Sequence, residues 1–492
     1  METILLELLQ GFQVIFTPAG FGFLMLGVIA GIAFGATPGI SPSTGVALLV
    51  PFSYSMPPAV AFVFFVAAYQ AANYGGSITA ISINAPGTPA AIVTAIDGYE
   101  LTKQGKPGLA LGTAVIASAL GGFIGALILI LLARPLAGLG LLFGPAEYFS
   151  LTLFALTTVI GFSTKNRLKT CTAILLGLLL ATIGTDPFSG NLRFTLGLSG
   201  LYDGVPLIPA MIGLFALAEI FSQIESNLEL KKISTFSGKL PGVNTLLKLK
   251  WAILRSSVLG TLIGIIPGAG ATIASFISYG EARRFSKKKE LFGRGSLEGI
   301  TSSEAANSSS VGGALVPLLS LGIPGSATDA VLLGAFSLHG LTAGPELFKS
   351  SPEIVYGIFS ALLAANLLIL VFGLAGNALW LKLISIPQGL LYPLVIVLCI
   401  TGSYTVNGTF FDSGLCLAFG VFGWLLKRNG YPLAPLVMAL VLGSMLEMNL
   451  RRVLLMGGIK LLFVKPISAV LLTVALLAVA LPLIRKKPYL TP

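Results

Sequence analysis

Charge is scarce in this chain: Asp, Glu, Lys and Arg make up 10% of its 492 residues, against 55% hydrophobic, and the mean hydropathy is +0.93. One water-soluble core cannot hide that much apolar surface, so a soluble enzyme is excluded. Histidine is nearly absent, His339 being the only one, and the three cysteines, Cys171, Cys399 and Cys416, all lie inside apolar runs. Neither a disulfide framework nor a Cys/His metal site is available. The phosphate-binding pattern G-x-x-x-x-G-K-[ST] is missing, so ATP hydrolysis would need another subunit. Residues 1–16 lack a basic n-region and a small-residue cleavage site and carry Glu2 and Glu7; the N-terminus is expected to stay attached.

What is present is a succession of apolar runs. The expected fold is an all-α polytopic membrane protein with about 12 to 14 membrane segments, since each span takes about 20 apolar residues and roughly 30 to 40 with its loop. The 30 Lys and Arg exceed the 19 Asp and Glu, giving a formal charge of +11. In a soluble protein that excess would suggest nucleic acid; here the basic residues cluster between apolar runs, which is the positive-inside pattern, and no nucleic acid is expected. The basic stretches 223–250 and 281–298 are both expected to be cytoplasmic.

The sequence repeats. Gly31, Gly35, Pro38 and Gly39 recur with the same spacing as Gly260, Gly264, Pro267 and Gly268, an offset of 229 residues. Gly75-Gly76 before Asn84-Ala-Pro86-Gly87-Thr88 match Gly312-Gly313 before Gly322-Ile-Pro324-Gly325-Ser326, with the offset now 237 to 238. Corresponding loops carry opposite charge signatures: 281–298 is strongly basic, whereas 52–58 has no charge. The halves therefore read as inverted repeats. If 223–250 and 281–298 share a side, segment 251–280 enters and returns on that side; arms of about 15 residues reach roughly 22 Å, short of the ~30 Å core. Two opposed re-entrant helical hairpins are predicted, with tips at Pro38-Gly-Ile-Ser-Pro42 and Pro267-Gly-Ala-Gly270. The expected divisions are a first repeat over 1–130 with its hairpin near 22–51, scaffold helices over 131–222, a cytoplasmic loop over 223–250, a second repeat over 251–350 with its hairpin near 251–280, and scaffold helices over 351–492. No repeat partner is visible for 353–484.

Discontinuous helices in inverted repeats place free backbone N–H groups near the midplane, where they attract anions, while unwound carbonyls attract cations. Four breaks qualify: Pro38-Gly39, Pro86-Gly87, Pro267-Gly268 and Pro324-Gly325. Hydroxylated residues follow each one: Ser41, Ser43 and Thr44; Thr88; Thr272; Ser326 and Thr328. A single such break is most simply a proline kink packed through small residues. Four, arranged as two spaced pairs, favour a binding site.

Taken together, these segments resemble a known family. Gly-Ser-Ile-Thr-Ala-Ile (76–81), Asn-Ala-Pro-Gly-Thr-Pro-Ala (84–90), Asp97-Gly-Tyr, Pro-Gly-Ala-Gly-Ala-Thr (267–272), Glu-Ala-Ala-Asn (304–307) and the run 312–326 are similar to the large membrane subunit of tripartite tricarboxylate transporters. The resemblance implies a multi-pass permease of a bacterial or archaeal cytoplasmic (inner) membrane, working with a small membrane subunit and an extracytoplasmic solute-binding protein. It implies uptake of citrate-like di- or tricarboxylates driven by an ion gradient. By position, the family's binding region falls on the Pro-Gly tips and on Asn73, Asn84 and Asn307, and Gln70 is the first-half counterpart of Asn307.

The expected substrate-binding set is therefore Gly39, Ser41, Ser43, Thr44, Asn73, Asn84, Gly87, Thr88, Gly268, Gly270, Thr272, Asn307, Gly325, Ser326 and Thr328. Asp329 and Glu304 are candidate ligands for a coupling cation, Na⁺ or H⁺, because intramembrane carboxylates default to function. The bland readings are a helix-dipole partner for Asp329 and a cytoplasmic-boundary position for Glu304. His339, Arg134 and Arg193 read as boundary or loop residues. No cofactor and no enzymatic activity are expected; Tyr202-Asp203 lacks the second aspartate motif an intramembrane protease needs. The mechanism expected is alternating access, elevator-type before rocking, with a homodimer as the anticipated assembly. The rivals are a passive anion channel, since re-entrant hairpins also build pores, and a stand-alone carrier for another small solute.

Overall fold

The structure, a computed structural model, describes residues 2–163, 166–226, 240–384 and 388–484. The middle of the expected cytoplasmic loop 223–250 thus lies outside the described residues. In the first half the helices are α1 (Glu2–Phe16), α2 (Pro18–Ala36), α3 (Pro42–Leu49), α4 (Pro58–Ile83), α5 (Ala91–Lys103), α6 (Pro107–Gly140), α7 (Pro145–Phe162), α8 (Arg167–Ala181), α9 (Leu207–Met211) and α10 (Ala218–Ser226), the last two joined by a wide helical turn, Ile212–Leu217. The second half holds α11 (Val243–Ile265), α12 (Gly270–Phe285), α13 (Leu297–Leu321), α14 (Ala327–Leu338), α15 (Leu347–Ser350), α16 (Pro352–Ile384), α17 (Gln388–Asn407), α18 (Phe410–Arg428), α19 (Leu433–Met456), α20 (Lys460–Val464) and α21 (Pro466–Ile484). Among the described residues the only strands are β1 (Gly184–Thr185) and β2 (Leu192–Arg193), an antiparallel pair in a loop. Proline opens many of these helices, where its missing N–H costs nothing and its fixed φ suits the first turn; Thr17 before Pro18 and Ser41 before Pro42 cap the exposed amides.

Among the described residues, eight helical stretches are long and apolar enough to cross a membrane: α2, α6, α7, Leu207–Glu225, Pro352–Gly376, Gly389–Asn407, α18 and α19. The protein is an all-α, multi-pass membrane protein. The two long central helices, α4 and α13, are not among the eight. Both are rich in Gly, Ala, Ser and Asn and buried along nearly their whole length, so other helices rather than lipid surround them.

Contacts along α4 and α13 fix their directions. At one end, Thr102 donates to the Ile81 carbonyl (2.7 Å), Gln104 donates to the Arg294 carbonyl (2.9 Å), and the Asp97 carboxylate accepts the backbone N–H groups of Gly293, Gly295 and Ser296. This end carries the basic stretch 281–298. At the other end Ser53 bonds His339 (3.0 Å) and Phe62 stacks on Phe336. Helix α4 runs toward the basic end and α13 runs away from it.

Each central helix has a helical hairpin laid beside it. Gly27, Gly31 and Gly35 of α2 track Phe64, Ala68 and Ala72 of α4 so closely that a Cβ on Gly31 would sit 2.4 Å from the Ala68 carbonyl oxygen. After a break at 37–41, α3 returns to the Ser53 end. Gly260 and Gly264 of α11 track Ala306 and Ser310 of α13 in the same way, and after a break at 266–269 α12 returns to the basic end, where Ser275 donates to the Ser303 carbonyl and Tyr279 to Asp97. The two hairpins thus enter the bundle from opposite ends. Their arms are unequal, unlike the matched arms of about 15 residues expected. The incoming helices have 19 and 23 residues, about 28 and 35 Å, and the returning ones 8 and 16. The long arms are held along the central helices by glycine contacts, and α11 gains length from a basic opening, with Lys248 and Lys250 ahead of its apolar part.

The helix order extends the correspondence past what the sequence displays. Helices α6, α7, α8 and α9–α10 are matched in order by α16, α17, α18 and α19. Helix α19 packs on α8 as the α9–α10 segment packs on α18. The helix order of 107–226 thus recurs over 352–456.

Candidate functional site

Four helices begin around one cavity of about 510 Å³: α3, α5, α12 and α14. Its lining includes the residues after each of the four Pro-Gly breaks, together with side chains from α4, α7, α10 and α18–α19. Each break is built for its position. Gly39, Gly268 and Gly270 adopt φ of +89°, +80° and +60°, the left-handed region that costs other residues a Cβ clash. A Cβ on Gly87 would lie 1.9 Å from the Gly35 carbonyl oxygen, so the second break rests directly on the end of the first hairpin's incoming arm.

Hydroxyl groups organise the helix starts. Ser41 caps α3, accepting the Thr44 N–H (3.2 Å), and its hydroxyl also meets those of Ser43 (2.8 Å) and Thr44 (2.9 Å). Thr44 in turn donates to the Phe215 carbonyl (3.1 Å) in the wide turn. Ser326 caps α14 by accepting the Asp329 N–H and shares a 2.9 Å bond with the Tyr69 hydroxyl. The second hairpin tip is held twice: Gly268 N–H donates to the Gly325 carbonyl (2.9 Å), and Thr158 of α7 donates to the Pro267 carbonyl (2.7 Å). First-turn N–H groups lack intrahelical acceptors, and each helix start carries roughly half a positive charge. Four such starts border one space.

Of the expected residues, Ser41, Ser43, Thr44, Asn73, Thr88, Gly268, Gly270, Thr272, Gly325, Ser326 and Thr328 line this cavity. Gly39, Gly87, Asn84 and Asn307 lie outside the lining. Asn84 ends α4 at φ +57°, as Gly322 ends α13 at +72°. Asn307 donates to the Asn73 carbonyl (3.1 Å) and so fixes a lining residue from behind. The cavity also uses Tyr69, Val159, Phe215, Glu219 and Lys427, which sequence reasoning missed. Tyr69 sits one helical turn before Asn73, a signal available in the sequence. Lys427 had none, standing at the end of an apolar run with no visible repeat partner.

The two candidate ion ligands differ. Glu304 is fully buried, and its carboxylate accepts hydroxyls from Ser77 (2.6 Å), Thr94 and Ser118 (3.1 Å) on α4, α5 and α6. Asp329 is also fully buried, on the first turn of α14, where its carboxylate meets no donor in full hydrogen-bond geometry but lies beside the Ser326 hydroxyl and the Gly325 and Ser326 N–H groups. Neither residue lines the cavity. Arg134 pairs with Glu7 (2.8 Å) and Arg193 with Glu447 (2.6 Å), both away from it.

The model of the tripartite tricarboxylate transporter TctA family matches residues 21–438. An uncharacterized 52.8 kDa protein in the TAR-I ttuC' 3'region of Agrobacterium vitis is 36% identical over 503 aligned positions, covering 99% of this chain and 98% of that protein. A protein in the TAR-II ttuC' 3'region of the same organism is 37% identical over 227 positions, 46% of this chain and 94% of its own length. No solved structure matches the chain.

Proposed function

The chain belongs to the tripartite tricarboxylate transporter TctA family, and on that premise we propose that it imports di- or tricarboxylates through the cavity where the four helix starts meet. The family works with a binding protein and a small subunit; in this reading the binding protein delivers a citrate-like anion from outside a bacterial or archaeal inner membrane. The observation that carries the proposal is the convergence of four helix N-termini, with their Ser and Thr hydroxyls, on one space. Backbone N–H groups and hydroxyls donate to a carboxylate, and they do so without a buried fixed charge that would hold the anion too tightly to release.

In this reading the hairpins α2–α3 and α11–α12 are re-entrant, the basic end faces the cytoplasm, and the two halves are inverted repeats. The cavity reaches toward residues 427–435, on the basic side, so this is an inward-facing arrangement. Access alternates as the hairpin-bearing core moves against α7, α9–α10, α18 and α19, by an elevator movement. An ion gradient supplies the energy, with Na⁺ or H⁺ taken up at Glu304 or Asp329. A hard cation suits the carboxylate and hydroxyl oxygens gathered at Glu304, while the buried carboxylate of Asp329 gains most from a proton or an ion. Uptake that continues undiminished after both gradients are collapsed would exclude the coupling.

The site is tested by single cysteines at Ser41 and Thr272 in a chain whose three native cysteines are replaced. Transported carboxylates should slow their labelling by a membrane-permeant thiol reagent. Labelling of both positions that ignores every transported carboxylate removes the tips from the site.

A further inference from the structure

The helix starts explain how one carboxylate is held, but not how a ligand with two or three carboxylates is told from one with a single carboxylate. Backbone N–H groups and hydroxyls count no charges. A second feature of the same cavity does. Among the residues that line it, only Lys427 and Glu219 carry charge, and they form an ion pair of 2.5 Å. Lys427 stands in the last turn of α18 and Glu219 in the first turn of α10. Their side chains retain 36% and 20% of their exposure, so the pair faces open space rather than a sealed interior.

Energetics favour exchange. A partly exposed ion pair adds about 0–1 kcal/mol to stability, so replacing one carboxylate by another at the ammonium group costs little. Glu219 would not be stranded, because the Gln223 side-chain amide also donates to it (3.3 Å). Gln223 in turn packs against the first hairpin tip: a Cβ on Gly39 would fall 1.7 Å from its amide nitrogen. A row of neighbours thus leads from the tip through Gln223 and Glu219 to Lys427, across the boundary between hairpin and scaffold.

We propose that Lys427 is a subsite for the second carboxylate of a di- or tricarboxylate, occupied by Glu219 while the cavity is empty. This rests on the transport reading above and adds the basis of its charge selectivity. The first carboxylate lies at the helix starts and the second displaces Glu219 from Lys427, so a monocarboxylate engages only the first. Because Glu219 contacts Gln223 beside the tip, the exchange also reports ligand charge to the hairpin.

The experiment measures equilibrium binding of radiolabelled citrate, succinate and butyrate to the full-length chain in lipid nanodiscs, together with uptake by the complete system in proteoliposomes. Lys427→Met should weaken citrate and succinate binding by about 10- to 100-fold, the loss of one hydrogen bond to a charged group, and leave butyrate within about twofold. Lys427→Arg should restore most of the difference. Glu219→Gln, which frees the ammonium group, should tighten citrate and succinate. Equal weakening of all three ligands by Lys427→Met, or a Glu219→Gln variant that weakens the dicarboxylate, makes the pair a structural clasp and overturns the subsite. A parent protein that neither binds nor moves any carboxylate overturns the transport reading itself, and the subsite with it.

Discussion

Gly87→Ala offers the most direct examination of how the four breaks are assembled. In this structure the added methyl would lie 1.9 Å from the Gly35 carbonyl oxygen and 2.9 Å from the Gly76 Cα. Real Cβ contacts essentially never fall below 3.0 Å, so the break and the hairpin arm must part by about 1.1 Å. Both obstructing atoms are backbone, and neither can rotate away. Overpacking of this kind costs about 1–3 kcal/mol, enough to lower the midpoint of thermal unfolding by a few degrees without abolishing the fold. Transport should suffer more, because a displacement of about 1 Å at a positioning element costs roughly 10²-fold in rate. The control is Gly138→Ala on the exposed face of α6, where an added Cβ meets nothing within 4 Å and helix propensity favours Ala by up to about 1 kcal/mol. Carboxylate uptake in proteoliposomes and thermal unfolding in detergent are measured on both variants. Gly87→Ala uptake equal to that of Gly138→Ala would show that close apposition of the second break and the first hairpin is not needed for transport.

Two further outcomes concern the framework around the site. Asp97 is fully buried and accepts four hydrogen bonds, from Gly293, Gly295, Ser296 and the Tyr279 hydroxyl; Asp97→Ala strands all four donors and should cost about 3–5 kcal/mol, so an unfolding midpoint within a degree of the parent would refute its role as the clasp between the halves. In the loop that carries β1 and β2, the N–H of Phe188 and the guanidinium of Arg451 hold the Asp186 carboxyl down to about 2, below the ordinary value of about 3.9. A depressed folded-state value means this stabilisation is complete above about pH 4 and is lost as pH falls toward 2. Protection factors in 184–204, taken relative to the intrinsic exchange rate at each pH, should fall over that window, and those of Asp186→Asn should be low at every pH; equal protection factors at pH 5 and pH 2 would count against it.

What the sequence disclosed, it disclosed through proline and glycine. Pro38-Gly39, Pro86-Gly87, Pro267-Gly268 and Pro324-Gly325 mark helix breaks because each constrains its own backbone, whatever the rest of the chain does. The residues that follow them could therefore be named in advance, and most of them face the cavity. Side chains that matter through distant partners left no such mark. Lys427 looks like any basic residue at a helix end until α18 is seen beside α10. Asp97 was visible as part of a motif, but its receptor, the N–H groups at 293–296, lies about 200 residues away in the chain. The depth of Glu304 was equally hidden, because its three hydroxyl donors come from α4, α5 and α6. The helix order shared by 107–226 and 352–456 escaped for another reason. Lipid-facing helices need only be apolar, so their order can persist after residue identity has gone.

The contacts divide the molecule into parts that are hard and easy to separate. Within each half, the hairpin and its central helix touch backbone to backbone at glycines, with Gly31, Gly35, Gly260 and Gly264 each leaving less space than one methyl group. Sliding one past the other would drive Cα atoms and carbonyls through close-packed ridges. The tips meet the surrounding helices differently, through hydroxyl-to-carbonyl bonds such as Thr44 to Phe215 and Thr158 to Pro267. Such bonds contribute about 1 kcal/mol each, and both partners can be rehydrated in an open cavity. A movement that pulls a hairpin from its central helix breaks the close backbone contacts at these glycines, whereas one that carries the two together keeps them. The packing therefore favours each hairpin moving together with its central helix.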